Sequence, residues 1–330
     1  SKTNMSGMDE ASFWANVDKG NHFQYMFNAL HLNQGKGYYS EIAQIGGVAQ
    51  TDWSWSVILE DFNMDGLKDA YVTNGIKKDV RNNDFTQSLM KEISKGNKEF
   101  NPIELMGTIP SNPISNYLFE GKGKLKFEDV TKKSGAYGPD FSTGCAVADL
   151  DRDGDLDIVA SVSETESKIL ENQTPHTSRL FRYSINSSLW NEFLNAKFII
   201  ETNCGTQRKD IVPTRGYNSS CWDHIIFAIP EGCEIYGGTI TTIYDKTYAL
   251  PMDEPGKLIE LSSENLELVK SKVNSKSSKF FAETNIIDYT HTENEYNDYK
   301  VEVLLPHKLS ENGPTTSTAD MDGDKRLDLL

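Results

Sequence analysis

No run of apolar residues in this chain of 330 approaches the roughly 20 that a membrane-spanning helix needs. The most apolar short segment, His224 to Pro230, has the length of a buried strand. Positive charge is also scarce. Lys and Arg number 33 against 49 Asp and Glu, a formal net charge of -16. Such a surface repels phosphate backbones, so nucleic acid is not an expected partner. Cysteines number four and histidines six. There is no C-x-x-C, and the lone Cys221/His224 pair has no second pair to complete a tetrahedral zinc site. Cys145 reads as a small core residue. One disulfide can form among Cys204, Cys221 and Cys233 in an oxidising compartment, but spacing does not choose the pair. No G-x-S-x-G elbow, H-E-x-x-H helix, P-loop or dinucleotide fingerprint occurs. His291 and His307 read as packing or hydrogen-bonding groups. The chain is therefore expected to be non-catalytic.

What the chain does have is aspartate at alternate positions in three short segments: Asp61 to Asp69, Asp149 to Asp157 and Asp320 to Asp328. Oxygens at positions 1, 3, 5 and 9 of a tight loop, with the backbone carbonyl of position 7, can converge on one hard cation, and Ca²⁺ takes six to eight such ligands. The candidate ligands are Asp61, Asn63, Asp65, Leu67 and Asp69 in loop one. In loop two they are Asp149, Asp151, Asp153, Asp155 and Asp157, and in loop three Asp320, Asp322, Asp324, Arg326 and Asp328. Gly66 and Gly154 fill position 6, where the chain turns sharply. Loop three has Lys325 there, so it is expected to bind more weakly. An EF-hand begins similarly but ends in Glu at position 12 and is flanked by helices. Position 12 here is Val72 or Ala160, and the flanks are short β-branched runs, so each loop reads as the turn of a β-hairpin. Loop two carries five Asp and loop one three, so loop two is expected to bind more tightly.

The first two loops belong to a longer repeat. Asn28 to Glu41 recurs as Asn116 to Asp129, and Asp52-Trp53-Ser54 as Asp140-Phe141-Ser142, at the offset that relates Asp61 to Asp149. One unit is a Gly-turn hairpin, a linker, a strand, a metal loop and a strand. Four strands per repeated unit indicate a propeller blade. The excess length lies in a polar insertion, Lys77 to Pro113, with a short helix expected over Phe85 to Ser94. Trp53 and Trp55 are read as packing residues, with sugar stacking as the alternative. Between about Phe181 and Ser262 the metal-loop pattern stops. Strands are expected at Ala196 to Glu201, Gln207 to Val212, Trp222 to Ile229, Glu234 to Tyr244 and Leu258 to Leu261, forming a β-sandwich-like module. Its most pointed feature is Arg215-Gly216. Either Arg215 is offered to an acidic partner or it pairs with a nearby acid while Gly216 makes a turn. The second reading is preferred, because Pro-x-x-Gly is ordinary turn chemistry.

The loops and the hairpin repeat resemble the FG-GAP/VCBS repeats of integrin-α-like β-propellers. Val212 to Ser220 resembles the central motif of the ASPIC/UnbV module, which follows such propellers in cartilage acidic protein-like and large secreted Bacteroidetes-type proteins. His291 to Lys300 and Leu304 to Ser310 resemble the lead-in to a second propeller. The resemblance implies an all-β chain: propeller blades over 1–175, an ASPIC/UnbV-like module over 176–270 and the start of a further propeller over 271–330. It implies a secreted or cell-surface location, Ca²⁺ as cofactor, and a binding or adhesion role toward an extracellular protein or glycan. A polysaccharide-active lyase or hydrolase on a propeller scaffold is the alternative. Two metal-loop blades are too few to close a propeller, and there is no initiating Met. The remaining blades are therefore expected from further segments of a longer chain, or the fragment is expected to have an open edge.

Overall fold

The computed structural model describes residues 10–21, 27–79, 83–94, 107–175, 178–221, 225–252, 255–271, 292, 300, 318–319 and 328–329. The chain divides into two compact units, Ser1–Lys272 and Val273–Leu330. Their described elements are mostly strands.

The first unit opens with helix α1 (Glu10–Asp18) and the hairpin β1 (His31–Gly35) and β2 (Tyr38–Glu41), followed by the short helix α2 (Ala43–Gly46). Loop one joins β3 (Ser54–Glu60) to β4 (Asp69–Asn74). Beyond the insertion helix α3 (Asn83–Ser94) come β5 (Ile114–Ser115), β6 (Tyr117–Gly121) and β7 (Phe127–Asp129). Next are β8 (Pro139–Asp140) and β9 (Ser142–Ala148). Loop two then leads into β10 (Asp157–Val162), and β11 (Lys168–Leu170) follows. The insertion helix starts two residues before its expected first residue and ends where expected.

Antiparallel pairing orders one sheet β3-β4-β6-β7 and another β11-β10-β9. The first sheet therefore takes the metal hairpin of one repeat and the Gly-turn hairpin of the next, while β1-β2 forms a separate sheet. Sheet boundaries and repeat boundaries are offset by half a repeat. The reason lies in β4, which is buried along its whole length. Tyr71 faces a core with Ile58, Phe62, Val147 and Ile158, while Ala70 and Val72 face a second core with Ala43, Val48 and Phe119. A strand covered on both faces needs a hydrogen-bonding partner on each edge, and β6 supplies the second one.

The rest of the first unit is a two-sheet module. Strands β12 (Arg179–Ile185), β13 (Lys197–Thr202), β14 (Gly205–Asp210), β15 (Ile225–Ile229), β16 (Ile235–Thr241), β17 (Lys246–Ala249), β18 (Leu258–Leu261) and β19 (Leu268–Ser271) follow in order. They form the sheets β15-β12-β18 and β14-β13-β16-β17-β19. The two sheets share one apolar core built on Phe181, Tyr183, Phe193, Phe198, Phe227, Ile200, Ile229 and Ile240. Each such aromatic or branched side chain contributes about 1.5–3 kcal/mol on burial. Cys204 and Cys233 form a disulfide, with Cα atoms 5.7 Å apart. Cys145 is buried and free, as expected of a core residue.

In the second unit, β20 (Thr318–Ala319) pairs antiparallel with β21 (Asp328–Leu329). Asp328, a candidate ligand, thus starts the strand after loop three. Asp320, Asp322, Asp324 and Arg326 lie outside the described residues, as do His291 and His307.

Candidate metal centres

Loops one and two share a backbone plan. Position 6 is left-handed glycine in both, Gly66 at φ +87° and Gly154 at φ +110°. Position 4 is left-handed as well, through Met64 at φ +59° and Arg152 at φ +68°. This second left-handed position was not foreseen from the sequence, since neither residue advertises it. Loop three carries Gly323 at position 4.

The position-9 carboxylates close the base of each loop. Asp69 accepts the N–H of Phe62 on Oδ2 (2.9 Å) and that of Gly121 on Oδ1 (2.8 Å). Asp157 does the same with Leu150 (2.8 Å) and Asn172 (2.8 Å). Each therefore ties its own loop to the end of the neighbouring strand, β6 or β11.

Inside loop two, ligand oxygens of Asp149, Asp151 and Asp153 all lie within 4.8 Å of one another. Two oxygens bound to one Ca²⁺ at 2.3–2.6 Å are separated by at most about 5 Å, so this trio fits a common ion. An all-oxygen donor set is also the chemistry a hard cation prefers. Asp157 is not in this converging set. Asp155 is buried, and burial, with the charges of Asp153, Asp157 and Asp151, pushes its carboxyl up to about 7. In loop one the Asp65 N–H is shared between Asp61 Oδ1 and Asn63 Oδ1, both at 3.1 Å, and Leu67 donates its N–H to Asp65 Oδ1 at 2.8 Å. Asp61 and Asp69 are pushed up to about 7 and about 6, chiefly by burial and against the backbone N–H groups they accept, with the Asp65 charge adding to both. A cation among these groups would relieve what burial and mutual repulsion impose.

Both loops press against the two-sheet module. Met64 packs on Leu180 and Ala228, and Ser178 Oγ donates to the Met64 carbonyl at 2.7 Å. A Cβ on Gly66 would approach Gln207 Nε2 to 2.7 Å, and one on Gly154 would approach Leu180 Cδ1 to 3.0 Å. Those atoms are the ends of flexible side chains that can shift, so it is the positive φ that favours glycine at position 6. The module brings cations with it. Arg182 on β12 forms an ion pair with Asp149 Oδ2 and lies 3.4 Å from the Arg152 carbonyl. Lys209 on β14 donates to Glu60 Oε2 at 2.7 Å, Lys68 does so at 2.8 Å, and Arg215 lies 3.7 Å from Glu60 Oε1. Burial alone would raise the Glu60 carboxyl, but Lys209 and Lys68 outweigh it and hold it down at about 2.

Arg215 takes the structural role preferred above. Its Nε and Nη2 each donate to backbone carbonyls at 2.9 Å, those of Val212 and Asp210. Gly216, at φ +81°, turns the chain directly over Ser56. Beyond it, Ser219 Oγ accepts the Cys145 N–H at 2.9 Å and bonds Ser56 Oγ at 2.8 Å, while the Tyr217 ring packs against Trp55 at a 36° tilt with centroids 4.7 Å apart. The Val212 to Ser220 segment thus seats on β3 and β9, and Trp55 is half-buried against it. Sequence reading missed Arg182, Lys209 and Glu60, which carry no local motif.

A family model described as an FG-GAP-like repeat matches residues 104–160, a span that includes β9, loop two and the start of β10. A comparison with curated proteins finds no match.

Proposed function

We propose that this is a calcium-binding β-propeller protein of the extracellular space or outer cell surface, acting by binding a protein or glycan rather than by catalysis. The observation that carries the reading is the convergence of Asp149, Asp151 and Asp153 in a loop that falls inside the FG-GAP-like match. FG-GAP repeats belong to propeller-type domains often engaged in binding. The sheets β3-β4-β6-β7 and β11-β10-β9 are taken as blades of residues 1–175. The two-sheet module is taken as the ASPIC/UnbV-like module of residues 176–270, and residues 271–330 as the start of a further propeller. The Cys204–Cys233 disulfide favours an oxidising compartment. No described helix is long and apolar enough to cross a membrane.

Asp149, Asp151 and Asp153 would hold the ion in loop two. Asp61, Asn63 and Asp65 are the corresponding groups in loop one. Bound Ca²⁺ supplies the positive charge that lets clustered carboxylates remain ionised in a folded turn. The test is a screen of glycans and extracellular proteins with and without chelator, followed by a turnover assay on any glycan that binds. Calcium-dependent capture without turnover is expected. Turnover would replace this reading with the polysaccharide-active one.

A further inference from the structure

We propose that loop two and Arg182 form a calcium-coupled clasp, in which the module fixes the first metal-ligating carboxylate and bound calcium in turn secures the module. This inference rests on the calcium reading above. Arg182 belongs to β12, inside the module, and its side chain is 12% exposed, while that of its partner Asp149 is 2% exposed. The guanidinium holds Asp149 Oδ2. The other oxygen, Oδ1, lies toward the loop interior, 3.4 Å from the Gly154 N–H. A carboxylate has lone pairs on both oxygens, so one can be held by a donor while the other faces an ion. Outer partners of this kind fix the orientation of metal-ligating carboxylates, and losing one typically lowers metal affinity about 10–100-fold. The same Nη2 also reaches the Arg152 carbonyl at position 4, so Arg182 grips the loop at two points.

Loop one provides an internal contrast. There the module's cations converge on Glu60, which precedes the first candidate ligand and is none of the ligands. Among the described residues of these two loops, the module's ion pair to a candidate ligand is the one in loop two. Because linkage is reciprocal, a module that tightens calcium binding in loop two is itself held more tightly when calcium is bound.

The experiment is calcium titration by calorimetry on wild type, Arg182→Gln, Arg182→Lys, Lys209→Gln and Asp153→Ala. Hydrogen exchange is read at the Cys145 and Val147 amides, which donate to the module's Ser219 and Cys221. Arg182→Gln is expected to weaken the Asp153-dependent site about 10–100-fold, Arg182→Lys less, and Lys209→Gln not measurably. Calcium should raise protection at Cys145 and Val147 in wild type and not in Arg182→Gln. If Arg182→Gln binds calcium as well as wild type or better, the clasp is wrong while the calcium site stands. An equal loss in Lys209→Gln also overturns it, because module docking in general would then be the cause. If Asp153→Ala leaves wild-type binding unchanged, the calcium reading of loop two falls and the clasp falls with it.

Discussion

In loop one, two cations of the module gather on Glu60, one residue ahead of the first candidate ligand; in loop two, one cation sits on the first candidate ligand itself. The backbones of the two loops match closely, down to left-handed residues at positions 4 and 6. What differs is where the two-sheet module puts its positive charge. Two copies of one repeat, in one chain, have thus been joined to the same module by different electrostatic means. In loop one the joint and the candidate ligands are separate groups. In loop two they share Asp149.

The largest effect that would sharpen this contrast is expected from pH in metal-free protein. Asp61, Asp69 and Asp155 have pKa values of about 7, 6 and 7 in the fold, above the unfolded carboxylate value near 4. Between about pH 4 and 7 the folded chain therefore holds more protons than the unfolded chain, and its stability falls as pH rises through that window. Urea unfolding at a series of pH values in chelator should show this decline, and added calcium should flatten it. Glu60 acts in the opposite sense. Its carboxyl is held at about 2, so its contribution is present above the unfolded glutamate value near 4 and is lost as pH falls toward 2.

Next in size is Glu60→Gln. Glu60 and Lys209 have side chains only 7% and 11% exposed, so removing the acid leaves a buried ammonium without its partner. A loss of about 3 kcal/mol in urea unfolding is expected. Calcium affinity at loop two should not change, and a change there would break the separation drawn between the two loops.

Calcium itself comes third. At millimolar calcium each site is expected to contribute about 1 kcal/mol, if the affinities resemble those of extracellular modules. Asp153→Ala in loop two should cost more calcium binding than Asp65→Ala in loop one, read by calorimetry. Equal losses would undo the ranking by charge count. The smallest effect is expected from Lys68→Ala. Lys68 also bonds Glu60, but its side chain is 39% exposed, and a loss of about 0.5 kcal/mol is expected. A loss as large as that from Glu60→Gln would mean that loop one carries its own counter-ion and does not depend on the module.

Much of the fold was legible in sequence where the physics is local. Asp and Gly at fixed spacing mark the tight turns, and the β-branched runs on either side mark the hairpins. Arg215-Gly216 read correctly as a turn with an internally paired arginine. The half-repeat offset of the sheets was not legible. It depends on β4 having cores on both faces, and nothing in the segment itself names the strand that will lie beside it. The module strands β12, β17 and β19 were also missed: β17 and β19 are runs of four residues, too short to show a period, and β12 interleaves arginine and serine with its apolar residues. In the candidate sites, the position-9 aspartates looked like any other ligand. The fold gives them the N–H groups of Gly121 and Asn172, 52 and 15 residues further along the chain.

By itself, the amino-acid order determined that carboxylate oxygens would crowd into tight hairpin turns, because that outcome is settled within nine residues by turn geometry and glycine. Tertiary structure decided which of those acids meet one another and which meet a cation. Arg182 lies 33 residues from Asp149, and Lys209 lies 149 residues from Glu60. Their pairing depends on two sheets of the module packing against the loop tips. Tertiary structure also chose Cys204 and Cys233 from three cysteines, by bringing their Cα atoms to 5.7 Å. Contacts of this kind are set by the packing of whole sheets, and a linear pattern carries no record of the distance across them.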